Sequence, residues 1–379
     1  MATLGGASEE IDRQVLKRYS IEQKLGKGAY GIVWRAEDKK TKEIVALKKI
    51  FDAFQNGTDA QRTYREIIFL QQMQGHENIV MLQKVLRADN DLDIYLVFEY
   101  METDLHATIR ANILEEVHKQ YIIYQSFKAL MYMHSAKLVH RDMKPANLLL
   151  NSECLMKVAD FGLARSLIDH ELDGGMSEKP ILTEYVATRW YRAPEILAAS
   201  NEYSTAVDLW SLGCILGEML GGQPVFAGKS TLEQFEKIVD LLGMPDEDQK
   251  KSMQSPFIGS LLDNMQNSDA KVKPVDEQKA GWQAMYLNVG EDAHDLLACL
   301  ICFDPTGRMT AKQGLTHPYC AQFHDVGSPE IEAKRHVTVT TQVPDTSGND
   351  KEVIMKDNEK FKTGIYRETL YHMIKKNKK

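Results

Sequence analysis

The hydrophobic period of the chain changes near residue 99, and this change restricts the possible fold more than any other feature. Before it, short apolar runs rich in β-branched and aromatic residues recur, as in Ile44-Val45-Ala46-Leu47 and Ile94-Tyr95-Leu96-Val97-Phe98. Such runs predict strands. Between them, Tyr64, Ile67, Ile68, Leu70 and Met73 fall at helical spacing and predict one helix over 59–74. After the change, helical periodicity dominates, over 118–134, 207–220, 232–242 and 292–303. A small strand-rich lobe followed by a larger helical one is an α+β arrangement with a cleft between lobes.

The boundaries follow from the same pattern. Residues 1–18 are a polar leader, 19–98 the small lobe, 99–104 a connector and 105–324 the large lobe. Residues 245–281 are polar with scattered Pro and Gly and predict an insertion. A C-terminal extension, 325–379, is irregular to about 362. A weakly amphipathic stretch then carries Ile365, Tyr366, Leu370, Tyr371 and Ile374, and is expected to pack back on the body. The final Lys375-Lys376-Asn377-Lys378-Lys379 reads as a solvated basic tail. No internal repeat is visible.

With 379 residues, 43% of them hydrophobic, the chain can bury two cores. A net charge of −8 spread along the sequence argues against a dedicated nucleic-acid binder. No apolar run reaches the roughly 18 residues needed to cross a bilayer. The start lacks a secretory pattern and has no Gly at position 2, so a cytoplasmic protein is expected, with the nucleus as a second location. Five cysteines, an odd and sparse set, suit a reducing compartment. Cys299-Leu300-Ile301-Cys302 has zinc half-site spacing, but no second Cys/His pair matches it and its neighbours are apolar, so both are expected to be core thiols. Asn56-Gly57-Thr58 fits a glycosylation acceptor and is expected instead to be a turn.

Gly26-Lys27-Gly28-Ala29-Tyr30-Gly31-Ile32-Val33 matches G-x-G-x-x-G-x-V. A dinucleotide-binding loop with these glycines would open a helix. Here Ile32-Val33-Trp34-Arg35-Ala36-Glu37 reads as a strand, so the loop is a hairpin flap for phosphates. Lys48 ends the next strand; alone it would be a snorkelling lysine, but after the flap it becomes a candidate for α- and β-phosphates, with Glu66 as its acidic partner. Gly222 to Ser230 imitates a phosphate-binding P-loop. It fails because Gln223 stands where the first glycine belongs, and Pro224 removes an amide.

His140-Arg141-Asp142-Met143-Lys144-Pro145-Ala146-Asn147, followed by Asp160-Phe161-Gly162, supplies a carboxylate, an ammonium and an amide in one loop, then a second carboxylate. Phosphoryl transfer from ATP needs that inventory. Taken with the flap and Lys48, these residues resemble the eukaryotic protein kinases over about 19–324. The resemblance implies a bilobal kinase fold, with ATP and Mg²⁺ as cofactors. It makes Asp142 the residue that takes or orients the acceptor proton, Lys144 the cation for the phosphoryl, and Asn147 and Asp160 the Mg²⁺ ligands. It places Leu25, Gly26, Gly28, Gly31, Val33, Ala46, Lys48, Phe98, Glu99, Met101, Asp104 and Leu149 around ATP, with Phe98 closing the rear of the adenine pocket. It also implies that Phe161 and His140 pack together, that Asp208 anchors the catalytic loop, and that Glu195 pairs with Arg308. Lys144-Pro145-Ala146-Asn147 resembles the serine/threonine form of the loop.

Thr183-Glu184-Tyr185, followed by Val186-Ala187-Thr188-Arg189-Trp190-Tyr191-Arg192, is similar to the dual phosphorylation lip of MAP kinases. Each phosphate adds about −1.5 to −2 charge and needs cations to receive it. By resemblance Arg65, Arg141 and Arg165 receive phosphorylated Thr183, and Arg189 and Arg192 receive phosphorylated Tyr185. The hinge and the sequences 59–66 and 161–167 are most similar to the atypical extracellular signal-regulated subgroup, types seven and eight, which phosphorylates its own lip. The implied partners are protein substrates with Ser/Thr-Pro sites, an upstream kinase and phosphatases, with no nucleic acid or membrane and a monomeric enzyme. After His317-Pro318-Tyr319, Asp325, Glu330 and Glu332 are diluted by Lys334 and Arg335, which departs from the dense acidic docking cluster of typical MAP kinases. A catalytically silent kinase-fold scaffold is the alternative from another class, and the presence of Lys48, Glu66, Asp142, Asn147 and Asp160 weighs against it. A cyclin-dependent kinase would share most motifs but leaves Thr183 and Tyr185 together unexplained.

Overall fold

The computed structural model describes residues 9–28, 31–168, 189–200, 204–266, 270–325, 332–344, 350–354 and 360–376. It divides into two compact units, Met1–Glu102 with Thr338–Lys379, and Thr103–Val337. The expected α+β class is observed: a β-sheet unit with one main helix and a larger, mainly helical unit.

In the first unit, β1 (Tyr19–Gly28), β2 (Gly31–Asp38), β3 (Ile44–Ile50), β4 (Leu82–Arg87) and β5 (Ile94–Glu99) form an antiparallel sheet in the order β1-β2-β3-β5-β4. Alternating burial along β2, and along β3 as far as Lys49, gives the sheet two faces. One face buries Tyr19, Ala36, Val45, Leu47, Tyr95 and Val97, and is closed by Val15 of α1 (Arg13–Arg18). Lys49 points to that side, where its ammonium meets the Glu10 carbonyl at 2.8 Å and Asp93 at 3.2 Å. Lys48, one residue earlier, points to the other.

The predicted helix is α2 (Gly57–Gln72). Asn56 is its N-cap, accepting from the Thr58 and Asp59 amides and donating to Asp59 at 2.7 Å, so the glycosylation-like triplet is a helix start. The extension is less irregular than its composition suggests. β11 (Thr340–Pro344) pairs with β12 (Asp350–Ile354), and the helix Thr363–Lys376 packs on α2. Tyr366 is fully buried against Tyr64, with ring centroids 5.5 Å apart, and Tyr371 meets Phe54 and the Arg87 guanidinium.

The second unit starts with β6 (Thr103–Asp104), α3 (Leu105–Ala111) and α4 (Glu116–Ser135). Short strands carry the loops of interest: β7 (Leu138–Val139) pairs with β10 (Arg165–Ser166), while β8 (Leu148–Leu150) lies between β6 and β9 (Met156–Val158). Its centre is the helix Ala206–Gly221, buried on nearly every side; Trp210 there stacks on Phe226 at 5.9 Å. The insertion carries the short helices Glu247–Ser252 and Ile258–Asp263 and the start of Val275–Met285. Its apolar residues are too widely spaced to reveal such short helices, of which the first starts at an Asp246–Gln249 capping box. Among the described residues, no helix is long and apolar enough to cross a membrane.

Candidate active site

β1 and β2 form the expected hairpin, aligning Gly26 with Val33 and Gly28 with Gly31; Ala29 and Tyr30 at its tip lie outside the described residues. The three glycines are not equivalent. A Cβ on Gly26 or Gly28 would meet open space, whereas one on Gly31 would collide with the Lys49 carbonyl. Gly31 is therefore required by strand packing whatever binds beside it.

Cross-strand pairs share a face, and β2, β3 and β5 set Val33 opposite Lys48, and Ala46 opposite Phe98. All four are half-buried on the side that faces α2, and Leu25 on β1 is exposed. Glu66 Oε1 accepts from Lys48 Nζ at 2.7 Å, the carboxylate being buried and the ammonium partly open. Glu99 holds Met81 through its own amide at 3.2 Å and its carboxylate at 2.7 Å, just before Met101.

The second unit holds the catalytic-loop residues and Asp160. Asp142 Oδ2 accepts from Lys144 Nζ at 2.6 Å and from the Asn147 amide at 3.2 Å, and that same amide donates to the Asp142 carbonyl at 2.8 Å. With its nitrogen committed to Asp142, Asn147 has only its oxygen to offer a ligand. Asp160 is tied in from the next strand. The Ala159 amide donates to the Asn147 carbonyl at 2.9 Å, and Leu148 pairs with Val158. His140 is the strut: Nδ1 accepts the Asp142 amide at 3.3 Å, and Nε2 lies 3.1 Å from the Ala159 carbonyl. A neutral ring accepting at Nδ1 carries its proton on Nε2, which suits donation to that carbonyl. Phe161 packs edge-on to His140 at 5.1 Å, as expected. Leu149 faces Asp104 across β6 and β8, and Asp104 also caps α3 by accepting the Ala107 amide at 2.9 Å.

Asp208 is fully buried and accepts the backbone amides of His140 at 2.9 Å and Arg141 at 2.8 Å, together with His134 Nε2 at 2.9 Å. It is not the cap of its helix, a place taken by Thr205. Burial by itself would raise its pKa; the His134 bond, the neighbouring histidines and the backbone donors outweigh that, and the carboxyl ends below its ordinary value. Glu195 and Arg308 form the expected bidentate pair at 2.6 and 2.7 Å, wholly out of solvent.

Of the arginines expected to receive phosphate, Arg65 is buried in α2. Arg165 stands opposite Val139, two residues from Arg141. Arg189 and Arg192 close one turn, through the Arg192 amide on the Arg189 carbonyl at 3.1 Å. Thr183 and Tyr185 lie outside the described residues.

The P-loop imitation is spent on structure. The Gly228 amide goes to Gln234 and the Lys229 amide to Glu233, while their carbonyls take Trp190 Nε1 and Arg189 Nη1. The residues that hold this turn, Gln234, Glu218 and Ser211, carry no motif. Only Glu218, a charge inside the apolar run 206–221, leaves a sequence signal.

Among the described residues one group, Asp295, Cys299 and His317, could bring three metal ligands together. His317 Nδ1 accepts the Tyr319 amide at 3.2 Å, which leaves the proton on Nε2, 3.2 Å from Asp295. Metal-bound histidines donate from their second nitrogen, so this is a histidine–carboxylate hydrogen bond and not a prepared site. Neither Cys299, in the helix Glu291–Leu300, nor Cys302, just after it, is the fully buried core thiol expected: both are half-buried, and partial burial pushes the Cys302 pKa up to about 11.

A protein kinase domain model matches residues 19–320. The chain is 53% identical over 373 residues to extracellular signal-regulated kinase 2 of Dictyostelium discoideum, covering 98% of this chain and 94% of that one. It is 48% identical over 370 residues to mitogen-activated protein kinase 15 of Xenopus laevis, covering 97% and 59%. With extracellular signal-regulated kinase 7 of Drosophila melanogaster the identity is 44% over 367 residues, covering 97% and 38%. The chain thus spans nearly all of the first relative but well under two thirds of the other two. Joined to the loop geometry, these matches place the chain among the serine/threonine protein kinases, in the MAP kinase family and its atypical extracellular signal-regulated type.

Proposed function

We propose that the chain uses ATP and Mg²⁺ to phosphorylate serine and threonine hydroxyls followed by proline, and that it is switched on by phosphorylation of Thr183 and Tyr185 through its own activity. Asp142 orients the acceptor hydroxyl and takes its proton; Lys144, already bonded to the same carboxylate, offsets the charge of the phosphoryl in flight. Lys48 binds the α- and β-phosphates, with Glu66 fixing its ammonium. Val33, Ala46 and Leu149 enclose adenine, Phe98 backs it, Glu99 and Met101 bond its edge and Asp104 meets the ribose. The glycines of the hairpin admit phosphates to the backbone.

The donor set fits Mg²⁺. Asn147 has only its oxygen left, Asp160 supplies a carboxylate from the adjoining strand, and hard oxygen ligands are what this ion takes. Bound there with ATP, it neutralises charge on the phosphates. The observation that carries the reading is the Asp142–Lys144–Asn147 cluster, in which one carboxylate oxygen accepts from Lys144 at 2.6 Å and from Asn147 at 3.2 Å on a loop held by Asp208.

For the switch, Arg189 supports the reading. One arm is fixed on the Lys229 carbonyl, and its Nε is buried without a partner among the described residues. A guanidinium so placed is ready for an anion. Mass spectrometry of the protein made in bacteria tests self-modification. Phosphate on Thr183 and Tyr185 of the wild type, absent from Asp142→Ala, is expected; equal phosphate on both proteins, or none on either, contradicts it.

A further inference from the structure

Gln234 joins the turn Arg189–Tyr191 to the loop at Gly228 through both ends of its side-chain amide. It is fully buried, in the helix Thr231–Leu242. Its Oε1 accepts the Gly228 amide at 2.9 Å, and its Nε2 donates to the Trp190 carbonyl at 3.2 Å. Gly228 must lack a side chain for this, because a Cβ there would collide with the Gln234 backbone. Trp190 closes the ring by donating Nε1 to the Gly228 carbonyl at 3.2 Å. The next residue is fixed from the other side: Tyr191 donates to buried Glu218 at 2.6 Å, and Ser211 donates to the Tyr191 carbonyl at 2.7 Å.

A buried amide with both ends bonded can exchange for nothing else of its size without leaving a donor or acceptor unpaired. The three-residue turn Arg189–Tyr191 therefore owes its position to side chains more than forty residues away in sequence or in a different helix. We propose that Gln234 is a positioning residue for substrate selection. By locking Trp190 it fixes the turn Arg189–Tyr191, part of the sequence stretch that by resemblance receives the residue after the phosphoacceptor. This rests on the proline-directed reading above. The side-chain hydrogen bonds of Gln234 go to Gly228 and Trp190, away from the catalytic loop, so its loss should act on the peptide and not on ATP.

The test uses the full chain, two peptides that differ only in having Pro or Ala after the acceptor serine, and the variants Gln234→Met and Gln234→Glu. Methionine keeps the volume and loses both hydrogen bonds; ionised glutamate still accepts from Gly228 but cannot donate to Trp190. The wild type should prefer the Pro peptide. Gln234→Met should cut the Pro-over-Ala ratio in kcat/KM by about tenfold, mostly through the KM for the Pro peptide, with the KM for ATP unchanged. Gln234→Glu should cut it by less or as much, also without moving the KM for ATP. An unchanged ratio in both variants, or a parallel rise in the KM for ATP, overturns the positioning role. A wild type with no preference for Pro overturns the proline-directed reading, and with it the role of Gln234. If Gln234→Met does not fold, Gln234→Glu decides alone.

Discussion

Asp208 holds Arg141 by its backbone amide at 2.8 Å, and Arg141 sits at φ 69°, a left-handed conformation that an arginine adopts only when something compels it. The carboxylate at the base of the central helix thereby keeps the loop before Asp142 in a shape the chain would not choose. Replacing Asp208 by Ala leaves two buried amides and His134 without their acceptor. A stability loss of about 3 kcal/mol or more is expected in denaturant titration, from unsatisfied donors alone. Phosphoryl transfer should fall with it, even at temperatures where the variant remains folded.

Glu195 and Arg308 present the same physics in a structural role. Both side chains are out of solvent, and removing one strands the other's charge. Arg308→Met should cost about 3–5 kcal/mol in chemical unfolding, whereas Arg308→Met combined with Glu195→Leu should cost clearly less. A double variant as unstable as the single one would show that packing, not charge, dominates there.

Two buried carboxyls give the pH dependence opposite signs. Burial raises the Glu218 pKa, against the Tyr191 hydrogen bond, so the folded state holds that proton more tightly than the unfolded state. Its contribution is lost as pH rises from the ordinary carboxyl range through the raised value. Asp208 is lowered on balance, so its contribution is present above the ordinary range and is lost as pH falls toward the folded value. Melting temperature should therefore decline less for Glu218→Gln than for the wild type as pH rises from the ordinary carboxyl range through the raised Glu218 value. Superimposable profiles would remove Glu218 from the account.

The C-terminal helix belongs to the first unit, with Tyr366 fully buried on Tyr64 of α2. Tyr366→Ala should cost about 3–5 kcal/mol, the range for emptying a large aromatic site. Near-normal stability by calorimetry would mean that the helix is an ornament to the first unit.

Much of this was legible before the structure, for identifiable reasons. Alternation along β2, and along β3 as far as Lys49, and the apolar stripe of α2 announce themselves through period, and the Asp142–Asn147 loop through chemistry that few folds need in that order. What stayed hidden depends on long-range pairing. The helices Glu247–Ser252 and Ile258–Asp263 are six residues each, under two turns, so no period can show them. The strand pair Thr340–Pro344 and Asp350–Ile354 gains its place beside α2, where Tyr64 bonds the Thr340 carbonyl, a contact across much of the chain. Gln234 is an ordinary polar letter in an amphipathic helix until the fold brings Trp190 and Gly228 to it.

The central claim is that Asp142 does chemistry in a cluster with Lys144 and Asn147. Its most direct measurement is single-turnover transfer of labelled γ-phosphate from Mg-ATP to a generic basic protein, with Mg-ATP affinity measured by calorimetry on the same samples. Asp142→Ala should lose about a hundredfold or more in the transfer rate while binding Mg-ATP as the wild type does. Transfer at the wild-type rate by a folded Asp142→Ala protein would contradict the account.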